Sequence, residues 1–203
     1  RSAGCTALVH LAFFSSRVHD GSYAHEVESF GTTNALAACH DAGLATLVMG
    51  STTAVYGAAA RNPNLLEEGH PLAAHPASRF VADRIEAERQ LRRFGEANPE
   101  VRTAVLRFAP VIGPSVDTPF TRFLGHRVVP AVLGHDPLVQ CVHEDDVGEA
   151  AERALFAEAR GAFNVVGRGV LPISAAARLA GAVQLPLPEP LAGLALEALD
   201  ALG

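Results

Sequence analysis

Residues 44–57 read LATLVMGSTTAVYG, and this stretch is the most informative about the fold. Its first half, residues 44–49, is a short apolar run that is typical of a strand buried on both faces of a parallel sheet. The run then enters a polar turn at residues 50–53. In doubly wound sheets, ligands bind where the parallel strands end. We therefore expect Ser51 and Thr52 to lie at a ligand-binding edge.

The chain on either side of this strand alternates between strand and helix patterns, and residues 57–77 resemble a surface loop. The predicted strands are 7–12, 101–108, 139–142 and 163–166. The predicted helices are 26–42, 78–94, one capped by Asp145 or Asp146 and running to about 158, one capped by Ser174, and one ending near 202. This alternation predicts an α/β fold, a Rossmann-like doubly wound parallel sheet with helices on both faces.

We expect a single Rossmann-type domain over residues 1–203, in which 114–138 and 168–203 form a small substrate-side cap. The sequence does not begin with Met and enters a strand almost at once. We interpret this as an internal start, with the first strands of the sheet upstream.

Composition excludes several classes of protein. The chain has 203 residues, of which 49% are hydrophobic and 19% charged, so disorder is not expected. The net charge of −6 disfavours nucleic acids and anionic membranes as partners. The three cysteines are far apart and form no CxxC, which favours a reducing cytoplasm over a disulfide framework or a zinc site. No apolar run approaches the roughly 20 residues that span a bilayer.

Several strand ends carry short motifs in a recognisable order. They are VHLA at 9–12, GTTNAL at 31–36, STTAVYG at 51–57, LRFAPVIGP at 106–114, VHEDDV at 142–147 and GAFNV at 161–165. In the same order they resemble the V-x-H-L-A, G-T-x-N-L-L, S-S/T-x-x-V-Y-G, L-R-x-x-N-V-Y-G-P, V-H-V-D-D-V and G-x-x-Y-N-V/I-G patterns of the extended short-chain dehydrogenase/reductases. That family is also called the NAD-dependent epimerase/dehydratase family.

The resemblance implies NAD or NADP as cofactor and a catalytic role for the hydroxyl of Thr52. It further implies that the cofactor-binding residues are Leu11, Ala12, Ser51, Arg84 and Pro110, and that the helix at 78–94 forms a homodimer through Val81, Ile85 and Leu91. Thr52 has a structural alternative, because a hydroxyl at a strand end also satisfies the backbone of a turn.

The chain departs from the family in its phosphate-binding segment. The opening G-x-x-G-x-x-G pattern of the family occurs nowhere in the 203 residues. Those glycines let the backbone approach the cofactor pyrophosphate at a helix N-terminus. We therefore expect weak or no NAD(P) binding by these residues alone, and the choice between NAD and NADP is not encoded in them.

The catalytic pair of the family, Y-x-x-x-K on a helix, is also changed. The best register places Phe80 at the Tyr position and Arg84 at the Lys position, with Glu88 on the acidic residue one turn later. A rival register pairs His75 with Arg79, but it puts a proline directly after the supposed catalytic residue. Residues four apart share a helix face, so either pair would point the same way.

Phenylalanine has no proton to give, and a positioned general acid contributes about 10²–10⁴-fold to a rate. Arg84 retains the positive charge of Lys in a different shape, and its alternative role is a solvated helix arginine. Tyr56, His75 and Ser78 are weaker candidates for a substitute acid, and Tyr56 is also a candidate for packing under the loop.

Other positions narrow the substrate and exclude a metal. The active-site Asn of the family falls at Glu28, and an Arg-Asp pair common in sugar-nucleotide members falls at Val139 and Gln140. A nucleotide-sugar substrate is therefore less favoured. The acidic cluster from His143 to Asp146 is interpreted as a structural junction, because adjacent residues cannot all face one ion. Arg107 is left between a buried ion pair and the rim of the site.

Two functions follow from these observations. The first is an NAD(P)-dependent oxidoreductase or epimerase-like protein that acts on a small alcohol or carbonyl with altered proton-transfer residues. The second is a non-catalytic dinucleotide-binding sensor or interaction protein. Thr52 and the strand-end motifs favour the first, and the Phe80 and Arg84 pair favours the second.

Overall fold

A computed structural model describes residues 4–11, 21–59, 61–74 and 78–202. The strands are β1 (Ala7–His10), β2 (Thr46–Thr52), β3 (Arg102–Phe108), β4 (Val111–Ile112), β5 (Val128–Val132), β6 (Leu138–Val139), β7 (Val142–His143), β8 (Gly161–Val165), β9 (Leu171–Pro172) and β10 (Val183–Leu187). The helices are α1 (Gly21–Asp41), α2 (Arg79–Ala97), α3 (Pro119–Gly125), α4 (Glu144–Phe156), α5 (Ile173–Leu179) and α6 (Glu189–Leu202).

These elements divide between two compact units. The first is drawn from Arg1–Ala109 and Asp145–Val165, and the second from Pro110–Glu144 and Val166–Gly203. The segments expected to form a substrate-side cap, 114–138 and 168–203, fall within the second unit. That this unit faces the substrate stays a prediction.

The first unit contains a parallel sheet in the order β1-β2-β3-β8. Leu8 lies opposite Leu47 in a parallel ladder, which confirms the predicted parallel sheet. The register also aligns Ser51 with Arg107 and Arg107 with Asn164 across three neighbouring strands. Side chains at aligned positions share a face of the sheet, so these three polar residues form a row.

Strand alternation sends the apolar side chains of β2 to two different cores. Leu47 and Met49 pack with Cys39 of α1 and Leu91 of α2 on one face. Val48 packs on the other face, with residues of α4. Helices therefore cover both faces of the sheet, as the alternation of patterns predicts. Because Ser51 follows Met49 by two positions, it faces α2.

The second unit consists of short paired strands and three helices. Its strands pair as β5 with β10 and β4 with β7, both parallel, and β6 with β9, antiparallel. Val129, Ala177 and Ala182 form its buried core, with Phe123 and Leu124 packed against them. No described helix is long and apolar enough to cross a membrane.

Several local predictions are wrong in detail. Helix α4 begins at Glu144, so Asp145 and Asp146 lie in its first turn rather than at its cap. Ser174 likewise lies inside α5, and Asp136 accepts hydrogen bonds from its backbone N–H and its hydroxyl, at 3.0 and 2.6 Å. The predicted strand 139–142 is divided between β6 and β7, which belong to different sheets.

Among the elements of the second unit that have no counterpart in the sequence-based prediction are two longer strands, β5 and β10. Strand β5 lies inside the segment 114–138, and β10 includes Pro186. A proline lacks the backbone N–H that a strand residue donates to its neighbour, so a segment that contains one is not normally predicted as a strand. Within the described residues β5 and β10 pair only with each other, so each has a free edge on which a missing backbone donor is tolerated.

Candidate functional site

The carboxyl end of β2 carries the two polar residues that the sequence singled out. The hydroxyl of Ser51 is buried and donates a hydrogen bond to Oε1 of Glu88 at 2.6 Å. Thr52 is half-buried and precedes a 3-10 turn, Thr53–Tyr56. Its Oγ1 accepts a hydrogen bond from the backbone N–H of Ala54 at 3.2 Å. A threonine hydroxyl also carries one donor hydrogen, which this bond leaves available to a ligand.

The backbone conformation at Gly57, the last residue of the STTAVYG motif, requires a glycine. Gly57 has a φ of +70°, a region that L side chains rarely adopt. A Cβ at this position would lie 2.5 Å from the carbonyl oxygen of Ala73. The backbone N–H of Ala73 in turn bonds the carbonyl of Val55 at 2.8 Å. The loop that follows β2 is thereby held against the strand end.

Helix α2 carries Phe80 and Arg84 on one face, as their spacing predicts. The Arg84 guanidinium carbon lies 5.2 Å from the centroid of the Phe80 ring. Phe80 is 42% exposed, whereas Arg84 is 2% exposed. The alternative of a solvated helix arginine is therefore wrong for Arg84.

The rival register is only partly within the described chain. Arg79 is exposed, while His75 lies outside the described residues. The Oγ of Ser78 accepts the backbone N–H of Val81 at 3.4 Å and caps α2, and its role as a substitute acid stays a prediction. The direction of Phe80 and Arg84 toward Thr52 stays a prediction.

His10, at the end of β1, is a feature that the sequence analysis used only as part of a motif. Burial lowers the pKa of His10, and the positive charge of Arg84 lowers this pKa further. The imidazole is therefore held in its neutral form near pH 7. Leu11, predicted to flank the cofactor, follows His10 and is exposed. Ala12 lies outside the described residues.

Arg107 is the centre of a buried polar network. Its Nη2 donates to Oε2 of Glu88 at 2.7 Å, and its Nε donates to Oε1 at 3.1 Å. Its Nη1 donates to the hydroxyl of Tyr56 at 2.8 Å and to the carbonyl of Glu68 at 2.9 Å. Burial opposes the charged form of Arg107, but the hydrogen bonds to Glu88 and Tyr56 outweigh it and raise the pKa. Of the two alternatives for Arg107, the buried ion pair is the one observed.

The network continues into β8 and the loop. Tyr56 is buried, and its hydroxyl donates to Oδ1 of Asn164 at 2.7 Å. The side chain of Asn164 donates to the carbonyl of Leu66, and its backbone N–H donates to Oε1 of Glu68 at 2.9 Å. That backbone bond is the main reason why the pKa of Glu68 is lowered. The phenol of Tyr56 is thus committed at both its donor and acceptor sides, which favours packing over acid catalysis.

A cavity of about 580 Å³ adjoins this network. It is lined by the apolar side chains of Leu72, Leu91, Val105 and Ala162 and by Glu88 and Arg107. Thr103 and Val105, which also line it, lie before the carboxyl end of β3. The cavity therefore does not coincide with the strand-end crevice where a dinucleotide is expected.

The described strand ends fit a dinucleotide only in part. The hydroxyl hydrogen of Thr52 suits a substrate or ribose oxygen. Away from the strand ends, Thr32 of α1 has a buried hydroxyl with no hydrogen-bond partner among the described residues. Pro110, predicted to bind cofactor, begins the second unit, where its carbonyl accepts the N–H of Val142. Within the described ranges no group of His, Cys, Asp and Glu could hold a metal ion.

The sequence model of the NAD dependent epimerase/dehydratase family matches residues 1–165. Among curated proteins, uncharacterized proteins of Mycobacterium bovis and Mycobacterium tuberculosis are each 33% identical to this chain over 205 residues. The match takes in 100% of this chain and 54% of each relative. The chain thus spans about half the length of these relatives.

Among solved structures, the UDP-glucose 4-epimerase of Thermus thermophilus in complex with NAD is 28% identical, with a TM-score of 0.70 over 90% of this chain and 65% of that chain. The UDP-glucose 4-epimerase of Thermotoga maritima with UDP-glucose is 21% identical, with a TM-score of 0.73 over 91% and 65% of the two chains. RMD from Pseudomonas aeruginosa with NADPH is 20% identical, with a TM-score of 0.70 over 91% and 68%. At the two lower identities the likeness establishes the fold alone.

Proposed function

The chain belongs to the NAD dependent epimerase/dehydratase family, and on that premise we propose that it is an NAD(P)-dependent oxidoreductase or epimerase-like protein with altered proton-transfer residues. The observation that carries this proposal is the hydroxyl of Thr52 at the carboxyl end of β2. Its oxygen is held by the N–H of Ala54 at 3.2 Å, which orients the hydroxyl and leaves its hydrogen to polarise a substrate oxygen.

The cofactor, when bound, accepts or supplies a hydride. The chain's own residues have the remaining tasks of orienting the substrate and handling its proton. Phe80 occupies the position of the proton donor and has none to give. A water molecule or a neighbouring group therefore takes this role in our proposal, and Thr52 polarises the reacting oxygen. Phe80 supplies an apolar wall, and Arg84 supplies positive charge from beneath the surface.

The test of this proposal is Thr52→Val, which keeps the shape of the side chain and removes the hydroxyl. In the complete protein we expect kcat for a small alcohol or carbonyl to fall about 10²–10³-fold, in keeping with the loss of a single hydrogen bond in the transition state. Thr53→Val in the adjacent turn is the matched control. Equal kcat values for Thr52→Val and wild type would exclude Thr52 from the chemistry.

We propose NAD or NADP as the cofactor, bound by the residues that the family resemblance implies: Leu11, Ala12, Ser51, Arg84 and Pro110. The G-x-x-G-x-x-G pattern is absent from these 203 residues, and this supports weak or no binding by them alone. Calorimetry with NAD and NADP, on the 203 residues and on the complete protein, tests the idea. Tight binding by the 203 residues would refute it.

A small alcohol or carbonyl is the proposed substrate, and the second unit is proposed to face it. The solved neighbours include complexes with UDP-glucose and UDP-glucuronic acid. Here Val139 and Gln140 replace the Arg-Asp pair common in sugar-nucleotide members, which favours a substrate without a nucleotide. A cytoplasmic location stays a prediction from the cysteine pattern.

The homodimer also stays a proposal, but its residues must change. Val81, Ile85 and Leu91 are buried in the cores of their own unit, where Val81 and Ile85 pack with Val55, so they cannot supply an interface. The exposed ring of Phe30 on α1 is a better candidate. Light scattering on wild type and Phe30→Ser would test this, with a dimer that Phe30→Ser weakens as the expected result.

The non-catalytic alternative is favoured by one specific observation. Phe80 carries no hydroxyl, and the phenol of Tyr56 is buried and bonded to both Arg107 and Asn164. A protein that binds a dinucleotide without turnover would retain such a scaffold and lose the acid. Tight cofactor binding by the complete protein, with no turnover across a panel of small alcohols and carbonyls, would favour this sensor function.

A further inference from the structure

Glu88 links one helix to the ends of two strands. Its Oε1 accepts the hydroxyl of Ser51 on β2 at 2.6 Å, and its Oε2 accepts Nη2 of Arg107 on β3 at 2.7 Å. The Glu88 and Arg107 side chains are 5% and 6% exposed. The carboxylate therefore has three charge-assisted or hydroxyl donors at short distance and almost no contact with solvent.

Arg107 provides a fixed reference for this carboxylate. Its remaining Nη1 donates to Tyr56 and to the carbonyl of Glu68. Bonds in three directions leave the planar guanidinium little freedom to tilt or slide. Ser51 and Arg107 are also register partners in the sheet, so both anchors of Glu88 move only with the strands.

The geometry of α2 links the position of Glu88 to the positions of Phe80 and Arg84. Phe80, Arg84 and Glu88 are spaced four apart and lie along one face of α2. Phe80 and Glu88 are eight residues apart, about 12 Å along the axis of a stiff helix. The axial position and rotation of α2 at Glu88 therefore set those of Phe80 and Arg84. On the strand side, Ser51 directly precedes Thr52.

We propose that Glu88 is a positioning residue: its carboxylate, held by Ser51 and Arg107, sets the register of α2 against β2 and β3 and so places Phe80 and Arg84 relative to Thr52. Stability alone is a weaker account, because buried ion pairs often add nothing over apolar residues of similar size. The Glu88 carboxylate makes directional bonds to the ends of two strands, which apolar residues could not do. That Glu88 sets the position of α2 does not depend on the proposed function. The consequence for Phe80, Arg84 and Thr52 as active-site residues rests on it.

The length and the charge of Glu88 can be separated by two variants. Glu88→Asp keeps the charge and shortens the side chain by one carbon–carbon bond, about 1.5 Å. Glu88→Gln keeps the length and removes the charge. The readout is fluorine NMR of 4-fluorophenylalanine incorporated at position 80, recorded on folded protein. If Glu88 positions the helix, Glu88→Asp displaces the fluorine resonance more than Glu88→Gln does.

The matched control is Glu86→Gln, on the same helix. Glu86 pairs with Arg89 and Arg93 at 3.7 and 3.5 Å on the exposed face, so its loss should leave the resonance unmoved. Should Glu88→Asp fail to fold, Ser51→Ala retains the ion pair and removes the 2.6 Å bond, and it must also displace the resonance. An unmoved resonance in these variants, or a larger displacement in Glu88→Gln, would overturn positioning in favour of a purely stabilising ion pair.

The turnover of Glu88→Asp is a second, independent test of the positioning role. In complete protein with measurable activity, Glu88→Asp should lower kcat by up to about 100-fold with little change in KM, because misplacement by about 1 Å has that effect. If the parent protein shows no turnover, the proposed function fails, while the fluorine resonance still decides whether Glu88 positions α2.

Discussion

Two neighbouring stretches of α2 differ in their polar contacts. At Phe80 and Arg84, where the family resemblance predicts the positions of the catalytic pair, the guanidinium carbon lies 5.2 Å from the centroid of a ring that carries no hydroxyl. One turn later, Glu88 remains bonded to Ser51 and Arg107 with full hydrogen-bonding geometry. In our proposal, the groups that position the helix and the groups that would transfer a proton are therefore separate.

The largest effect is expected when the Tyr and Lys of the family's catalytic pair are introduced at positions 80 and 84. In the complete protein, Phe80→Tyr with Arg84→Lys should raise turnover of a small alcohol or carbonyl by about 10²–10⁴-fold, because a phenol and an ammonium return to one helix face. The new activity should follow a pH profile set by the introduced tyrosine. A faster wild type would show that this protein uses another acid, and cofactor binding without turnover in either form would favour the sensor function.

The second change removes the cation that pairs with Glu88. Arg107→Met leaves the Glu88 carboxylate buried without its cation and should lower the free energy of unfolding by about 3–5 kcal/mol. Adding Glu88→Leu should recover much of this loss, because no uncompensated charge remains. Urea unfolding measures both. Arg153→Met, which removes an exposed pair with Glu149, is the control and should cost less than about 1 kcal/mol; a similar cost for both single changes would contradict the network.

A smaller change tests the edge of the network. Tyr56→Phe keeps the ring, which lies 5.0 Å from the Arg107 guanidinium and edge-on to His70, and removes the hydroxyl. Arg107 and Asn164 each lose a buried partner, so we expect a loss of about 1–3 kcal/mol in urea unfolding. No measurable loss would mean that the phenol is not committed to the scaffold and is free for chemistry.

The smallest expected effect depends on pH. The Asn164 N–H lowers the pKa of Glu68 in the folded protein, so the ionised carboxylate contributes stability above its unfolded pKa, and this contribution is lost as pH falls through the folded pKa. The melting temperature of Glu68→Gln should therefore lie below that of wild type at pH 7 and converge with it in acid. Glu67→Gln is the neighbouring control. A gap that persists at low pH would contradict the assignment.

Much of the first unit was predictable because its strands are continuous apolar runs, as the parallel ladder from Leu8 to Leu47 confirms. The second unit was less predictable, because β10 contains Pro186 and strands such as β6 and β7 have only two residues. Short pairs carry too little periodicity to register in a sequence. Their pairing depends on contacts between segments far apart in the chain.

Local spacing was enough to predict the strand-end motif around Thr52 and the shared helix face of Phe80 and Arg84. The burial of Arg84, the bonds of the Tyr56 hydroxyl and the pairing of Arg107 with Glu88 could be seen only in the folded chain. These features depend on the register of the strands. Ser51, Arg107 and Asn164 become neighbours only when three strands align, and no spacing along the chain encodes that alignment.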